Sequence, residues 1–176
     1  MKTCRCGAEY IQYTSLMNRC PKCLADRART TREKKERKEH RQAKERIKSR
    51  GDWLKEAQAV FNKYIRLRDE KDPCISCGRN HTGQYHAGHY RSVGAAPELR
   101  FDENNVHKQC APCNNHKSGN AIEYRIALVK RIGLDKVEWL EGPHEAKKYT
   151  IEEIKEIKMK YKAKAKELET LYNSIL

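Results

Sequence analysis

Eight cysteines constrain this chain more than any other feature, because they occur as four close pairs. In chain order the pairs are Cys4/Cys6, Cys20/Cys23, Cys74/Cys77 and Cys110/Cys113. Three pairs are C-x-x-C and the first is C-x-C, a spacing at which a tight turn brings two thiolates to one tetrahedral zinc ion. We therefore expect two structural Zn²⁺ ions, one held by the first two pairs and one by the last two.

A disulfide framework is the alternative interpretation of these cysteines. The N-terminus, Met1-Lys2-Thr3-Cys4, lacks the apolar stretch of a signal peptide. No window approaches the roughly 18 consecutive apolar residues that a membrane span needs, so we expect no membrane partner. We therefore expect a reducing compartment, in which disulfides are rare. Zinc is the favoured interpretation.

The charge of the chain indicates a polyanionic partner. Lys and Arg number 38 against 24 Asp and Glu, a net charge of +14, while hydrophobic residues are only 38% of the chain. So few apolar residues build a small core, and metal binding would supply part of the folding free energy. Nucleic acid is the commonest polyanion for such a protein, and a merely solubilising surface is the alternative.

Half of the excess charge lies in residues 24–50, which contain 12 Lys/Arg and 5 Asp/Glu and neither Gly nor Pro. This composition suits a helix, but it has no continuous apolar stripe with which to dock. A solvated or partly disordered linker is an equal alternative, and either form can follow DNA phosphates. The candidate DNA contacts here are Arg37, Lys38, Arg41 and Lys44.

Three helices are predicted beyond this block. Asp52 is a candidate N-cap for an amphipathic helix that ends before Asp72-Pro73, and its apolar face is expected to be core rather than a base-stacking surface. That face consists of Trp53, Leu54, Ala57, Val60, Phe61, Tyr64, Ile65 and Leu67. A second helix is predicted over residues 121–132, with Gly133 after its end.

The third helix opens with a capping box, Thr150-Ile151-Glu152-Glu153. Ile154, Tyr161, Leu168 and Ile175 follow seven residues apart, with Ile157 and Leu171 at the companion position and Lys164 as a polar break. Such a seam suits either a short coiled coil between two chains or packing within one subunit.

Residues 74–120 carry the chemistry. A C-x-x-C pair is followed by the strand-like run Tyr85–Tyr90 and then by the run Asn105–Lys117, which reads NVHKQCAPCNNHK. This order resembles the HNH, or ββα-metal, endonucleases, in which a hairpin and a helix clasp one catalytic cation. The resemblance implies a metal-dependent nuclease whose C-x-x-C knuckles pin the base of the fold.

The resemblance assigns four candidate catalytic residues: His89, Asn105, Asn114 and Lys117. His89 matches the motif histidine and would be the general base, a role suited to a pKa near neutrality. Asn114, at the expected start of a helix, would bind Mg²⁺ or Mn²⁺ through its carbonyl oxygen. Asn105 would position the loop that orients the base, and Lys117 would contact phosphate. His81 and His107 are expected to be structural or surface residues.

One position departs from this family, because Gly88 stands where most members carry an aspartate metal ligand. His86 and His116 are the candidate second ligands. His86 would point to the opposite face of a strand from His89, and His116 lies about 200° around a helix from Asn114. The loop carboxylates Asp102 and Glu103 are further alternatives, as is a site with a single protein ligand.

The N-terminal knuckle, the basic block and the run His86–Ser92, which contains the candidate DNA contact Arg91, together resemble the NinG, or Rap, family of lambdoid-phage recombination proteins. This resemblance spans essentially the whole chain. It implies a structure-specific endonuclease that cleaves D-loops and Holliday junctions in the cytoplasm of a bacterial host, associated with the nucleoid when bound to DNA. Host or phage recombination proteins are candidate partners, and paired cuts at a junction favour a homodimer.

Two alternative functions remain open at this point: an HNH nuclease that cuts linear duplex DNA, and a zinc-dependent DNA-binding adaptor without catalysis. The expected fold is a small α+β protein with a zinc-stabilised ββα-metal core and long basic and amphipathic helices. Its expected parts are a Cys₄ knuckle (1–23), the basic and amphipathic helices (24–72), the nuclease core (73–135) and a C-terminal helical segment (136–176).

Overall fold

The computed structural model describes residues 1–175, apart from the side chain of Ile175. The chain divides into two compact units, Met1–Lys48 and a second unit that begins at Ser49. Two short sheets and five helices make up these units, which confirms the predicted small α+β class. Within the described residues no helix is both long and apolar enough to cross a membrane.

The first unit is a knuckle followed by a long helix. Strands β1 (Lys2–Thr3) and β2 (Glu9–Tyr10) pair antiparallel, and helix α1 spans Pro21–Arg46. Three side chains form the small buried cluster of the knuckle: Cys4, Tyr10 and Cys20. A cluster this small buries little apolar area, so the hydrophobic effect alone contributes little to holding the knuckle together.

Helix α1 gives most of the basic block a helical form, which is one of the two alternatives that the sequence left open. All of its 26 residues are described and none of them is buried. Its Lys, Arg, Glu and Ala are good helix formers, and ion pairs such as Arg32–Glu36, at 2.9 Å and i,i+4 spacing, add modest support. The helix therefore presents its charge to solvent around its whole circumference.

The second unit has its larger core between helices α2 (Arg50–Arg68) and α5 (Ile151–Ile175). The predicted core face of α2 is confirmed, with Trp53, Ala57, Phe61, Tyr64 and Ile65 buried and Leu54, Val60 and Leu67 packed against them.

The predicted N-cap of α2 is wrong, because Ser49 caps this helix. Asp52 is the third helical residue, whose carboxylate accepts the Ser49 N–H and completes a capping box.

The predicted α5 capping box is confirmed by reciprocal hydrogen bonds between Thr150 and Glu153. The heptad seam faces the chain's own core: Ile154 and Tyr161 are buried against α2, and the Tyr161 ring lies 4.7 Å from that of Phe61. Ile157 and Leu168 pack against the same core, whereas the side chain of Ile175 lies outside the described part. The seam thus packs within one subunit, apart from Leu171, which is 52% exposed.

The predicted nuclease segment forms an antiparallel hairpin of β3 (Tyr85–His89) and β4 (Val106–Cys110), connected through the 3₁₀ turn Pro97–Leu99. Side chains alternate between the two faces of a strand. One face, which includes Ala87 and Val106, packs on the α2–α5 core. The other face carries His107, which contacts Tyr124 of the next helix.

Helices α3 (Ala121–Ile132) and α4 (Leu134–Glu141) form a second core with the loop before β4. Helix α3 has the predicted bounds, and Gly133 follows it with φ +90°, a conformation that favours glycine. The boundary expected at residue 135 falls inside α4. Asn114 does not start a regular helix as predicted, because Pro112–His116 is a five-residue π-helical turn that ends before α3 begins.

Candidate metal centres and active site

The structure brings the eight cysteines together as the two predicted groups of four. In each group the four Sγ atoms lie within 4.8 Å of one another, and all eight thiols are free of disulfides. The Sγ atoms of Cys6 and Cys20 are 3.6 Å apart, and those of Cys77 and Cys110 are 3.9 Å apart. A tetrahedral zinc with Zn–S bonds of about 2.3 Å places its sulfurs about 3.8 Å apart, so the geometry fits zinc.

The backbone prepares both groups in the same way. The Cys20 N–H donates to Cys4 Sγ and the Cys110 N–H donates to Cys74 Sγ, each at 3.3 Å. A glycine with positive φ follows the second cysteine of each N-terminal pair, Gly7 at +87° and Gly78 at +64°. Left-handed residues reverse the chain here at no steric cost, so the two thiols of a pair can face one centre.

These amide donors favour the thiolate form that a metal requires. The hydrogen bond from the Cys20 backbone lowers the pKa of the Cys4 thiol to about 6. Burial raises the pKa of Cys74, but backbone N–H groups, that of Cys110 foremost, bring it down to about 7. Each group therefore contains a thiol that ionises readily, and either can hold a zinc ion.

His89 occupies the end of β3, opposite Val106. Its Nε2 lies 3.0 Å from the Arg100 carbonyl oxygen. Because a carbonyl only accepts, Nε2 carries the proton, and the lone pair of the neutral ring is then on Nδ1. Burial lowers the pKa of His89, so the ring is neutral at pH 7 and Nδ1 can accept a proton.

Asn105 is fully buried and fixes the loop between the two strands. Its Oδ1 accepts the Arg91 N–H at 2.7 Å, and its Nδ2 donates to the carbonyls of Arg91 at 3.0 Å and Leu99 at 3.1 Å. The residue after Leu99 is Arg100, whose carbonyl holds His89. Asn105 therefore reaches His89 through the loop, as expected for a positioning residue.

Gly88 leaves no room for a side chain. A Cβ at this position would lie 3.0 Å from both Cβ and Cδ of Gln109 and closer still to its Oε1. The Gln109 amide is fully buried and donates to Ser76 Oγ and to the Gly119 carbonyl, both at 2.6 Å. An aspartate at position 88 would therefore displace a hydrogen-bonded group of the core. Sequence reasoning missed Gln109, because its role depends on contacts distant in the chain.

The remaining ligand candidates differ in their surroundings. Asn114 donates its Nδ2 to Asn115 at 2.8 Å, which leaves its Oδ1 without a donor among the described residues. His86 has a buried Nε2 with no hydrogen-bond partner in the described structure, whereas His116 and Lys117 are exposed. In the part of the chain that the structure describes, the only clusters of three or more His, Cys, Asp or Glu ligands are the two cysteine groups.

The loop carboxylates are engaged elsewhere. Glu103 accepts hydrogen bonds from Tyr64 at 2.8 Å, from Tyr161 at 3.2 Å and from Lys164 at 2.6 Å, which together lower its pKa although burial raises it. Asp102 accepts the backbone N–H groups of Asn104 and Asn105. These bonds engage Glu103 within the loop, whereas Asp102 uses only Oδ1 in them and stays a candidate second ligand.

The predicted DNA contacts divide between the two units. Arg37, Lys38, Arg41 and Lys44 are exposed on α1, and three of them share one face because they follow at i, i+4 and i+7. Arg91 is half-buried beside Asn105 in the loop that precedes Arg100.

The two histidines predicted to be structural or surface residues lie in different surroundings. His107 is buried and its Nδ1 lies 3.3 Å from the Tyr124 hydroxyl. His81 lies beside the second cysteine group, with Nε2 3.3 Å from Cys77 Sγ.

Fold and site define a small basic α+β protein with two tetracysteine groups and a histidine-bearing hairpin. The sequence profile of the family described as "Bacteriophage Lambda NinG protein" matches residues 2–170. The chain belongs to the NinG family.

Named relatives support this assignment. The chain is 51% identical over 122 residues to "Protein ninG" of Escherichia phage 933W, an alignment covering 69% of this chain and 61% of the relative. It has the same identity over the same length to "Protein ninG" of Salmonella phage P22 and of Escherichia phage lambda, covering 60% of each. The match thus spans about three fifths of these relatives. No solved structure matches the chain.

Proposed function

We propose that this protein is a structure-specific DNA endonuclease that hydrolyses phosphodiester bonds in branched recombination intermediates, Holliday junctions and D-loops, with Mg²⁺ or Mn²⁺ as cofactor. The observation that carries the proposal is the constraint on His89: its Nε2–H is held by the Arg100 carbonyl, so its basic Nδ1 is fixed in direction.

The chain's own residues account for the base and its positioning. A water next to Nδ1 of His89 gives up its proton to the ring as it attacks the phosphorus, and the imidazolium that forms keeps its bond to Arg100. Asn105 holds the loop that presents this carbonyl. Lys117, exposed beside the turn, offers an ammonium group to a phosphate of the strand.

A divalent cation would supply charge stabilisation at the phosphate and at the leaving oxygen. Asn114 Oδ1, an oxygen donor without a partner among the described residues, fits a hard cation. The two candidate second ligands stay comparable, because His86 lies on the face of β3 opposite His89 and His116 is exposed.

Binding to DNA would rest on phosphate contacts, since α1 presents exposed cations and no apolar face. Selection of branched DNA would then come from its shape and bend rather than from base edges. A homodimer remains part of the proposal, but the buried seam of α5 is no longer its basis. Light scattering of the protein with and without DNA tests it.

The test is cleavage of a labelled four-way junction and a matched linear duplex, with Mg²⁺ or Mn²⁺ added to metal-free buffer. The control without divalent cation omits the added Mg²⁺ or Mn²⁺ and contains no chelator, because a chelator would also remove the zinc. His89→Ala should lower cleavage by at least about 10²-fold while DNA binding persists, because a general base contributes about 10²–10⁴-fold. His40→Ala, at an exposed histidine of α1, is the matched control and should cut normally.

The outcomes separate the alternatives. Cutting of the junction alone, dependent on the cation and on His89, supports the proposal. Equal cutting of both DNAs indicates a general HNH nuclease. A zinc-loaded protein that binds DNA and cuts neither substrate indicates an adaptor.

The pH profile gives a second readout for His89. Because burial places the folded pKa of His89 below the ordinary histidine value, the rate should decline with an apparent pKa below that value as the pH falls. A rate that already halves near pH 6.5, the ordinary histidine pKa, would contradict the role of His89 as the base.

A further inference from the structure

A cleft of about 540 Å³ lies at the end of the hairpin remote from His89, between the C-terminal half of α2 and the start of β3. Its lining is mostly polar and cationic: Lys63, Arg66, Leu67, Glu70, Asn80, His81, Tyr85 and Lys108. Neither the predicted active site nor the predicted DNA contacts include any of its cations.

Lys108 is the unusual member of this cleft. The residue is only 7% exposed, and among the described residues no carboxylate pairs with its ammonium group. Nζ donates to the Glu70 carbonyl at 2.8 Å and lies 4.5 Å from the centre of the Tyr85 ring. A buried charge is costly unless it is paired, and an ammonium group has three donors of which one is used here.

Arg66 adds a second unpaired cation. Its half-buried guanidinium has no ion-pair or hydrogen-bond partner in the described structure. Lys63, by contrast, is paired with Glu169 at 2.6 Å. Glu70 is the one carboxylate that lines the cleft, and it pairs with neither Arg66 nor Lys108 within the described residues. Two unpaired cations therefore face one carboxylate.

Neutral donors complete the lining. The Tyr85 hydroxyl accepts the His81 backbone N–H at 2.6 Å, so its own proton is free to donate into the cleft. The Asn80 amide is exposed at the rim. A planar guanidinium, an ammonium, a phenol and an amide around one space are the donor set that recognises a phosphate group.

We infer that this cleft binds a backbone phosphate of the DNA on which the protein acts. This inference rests on the proposed function and extends it with a second anchoring point on the strand. Tyr85 and His89 lie on the same face of β3 because they are four residues apart, which is roughly 13 Å along a strand.

Arg66→Gln tests the inference, since Arg66 is not part of the folding core or of the proposed active site. The assay is fluorescence anisotropy of the zinc-loaded full chain with a labelled junction and a linear duplex, in increasing KCl and without added divalent cation. Loss of one phosphate contact should reduce the slope of log K against log [salt] by about 0.9. Lys136→Gln, an exposed lysine of α4 outside the cleft, removes the same charge and should leave the slope unchanged.

Two further variants sharpen the result. Glu70→Gln removes the carboxylate of the cleft but not the carbonyl that holds Lys108, so it should strengthen DNA binding. Lys108→Met should weaken binding and flatten the slope, and is interpreted only if zinc content and melting temperature match the wild type. Equal slopes for wild type and Arg66→Gln overturn the inference, whether or not the protein cuts DNA.

Free phosphate is the other source of the same chemistry. Calorimetric titration with inorganic phosphate that shows saturable binding lost in Arg66→Gln, together with an unchanged DNA slope, would identify an anion site unrelated to DNA and overturn the inference. A flattened slope in Arg66→Gln combined with no cleavage by the wild type would support the phosphate cleft and refute the nuclease. The two proposals therefore fail separately.

Discussion

The buried imidazole of His107 makes the stability of this protein depend on pH in a defined direction. His107 is 2% exposed, and burial lowers its pKa to about 3, with the charge of Arg68 acting in the same direction. The Tyr124 hydroxyl donates its proton to the Gly88 carbonyl at 2.9 Å. The same hydroxyl oxygen lies 3.3 Å from His107 Nδ1, and it can only accept there, so Nδ1 carries the ring proton. The ring is neutral in the folded protein.

The sign and size of the effect follow from this pKa. Because the folded pKa lies below the unfolded value of about 6.5, the unfolded chain takes up the proton first, and stability is lost as pH falls from that value toward 3. Between pH 7.0 and 5.5 the loss from this one group is about 1.3 kcal/mol. Zinc content is measured at both pH values, because the thiols of Cys4 and Cys74, with pKa values of about 6 and about 7, titrate in the same range.

The perturbation is His107→Gln, which removes the titration and keeps an amide donor for Tyr124. Urea unfolding at pH 7.0 and 5.5, with zinc content measured, gives the free energy of unfolding for both proteins. It is followed by tryptophan emission, to which the buried Trp53 and the half-exposed Trp139 both contribute. The variant should be less stable at pH 7.0 but should lose about 1.3 kcal/mol less than the wild type on acidification. Equal losses would refute the reasoning, and His40→Gln, on exposed α1, should behave as the wild type.

Three further substitutions test the frame of the second unit. Cys110→Ser should lower bound zinc from two ions to one per chain and reduce the melting temperature, because it breaks the second cysteine group. Unchanged metal content by mass spectrometry would show that this grouping of the cysteines is wrong. Gly88→Ala should cost about 1–3 kcal/mol in urea unfolding, since its Cβ displaces the Gln109 amide, and a neutral result would contradict the packing at this site. Asp69→Ala should cost about 3–5 kcal/mol, because a fully buried carboxylate that holds two arginines is lost; a change below 1 kcal/mol would mean that the network contributes little.

Features set by local spacing could be predicted from the sequence. The cysteine grouping follows from turns that place two thiols side by side, and the core face of α2 follows from apolar residues at helical spacing. The capping box at Thr150 and the glycine after α3 are likewise local. At α2 the local signal was ambiguous, because Ser49 and Asp52 are the two halves of one box and either can be taken for the cap.

Features set by distant contacts could not be predicted. The heptad seam of α5 has the same period whether it meets a second chain or α2, and only the fold shows that it meets α2. Asp69 accepts bonds from Arg68, from Arg131 and from the Lys108 backbone, residues up to 62 positions away. No short sequence pattern marks such a group. Burial raises the pKa of Asp69, but the two arginines and the Lys108 backbone N–H lower it below its usual range.

The glycine at position 88, where an aspartate was expected, shows how local sequence patterns and distant contacts in the fold combine. From the sequence alone Gly88 is a missing ligand, and the search for a substitute turns to every nearby donor. In the fold the same glycine is a packing requirement, since Gln109 fills the space and is bonded to Ser76 and Gly119 next to the second cysteine group. Residues 86 and 88 lie on the same face of β3, where Gln109 is the cross-strand partner of His86. The two carry buried polar atoms without partners in the described structure, His86 Nε2 and Gln109 Oε1. On this face, therefore, Gln109 occupies the space of the family's aspartate, and packing requires the glycine at position 88.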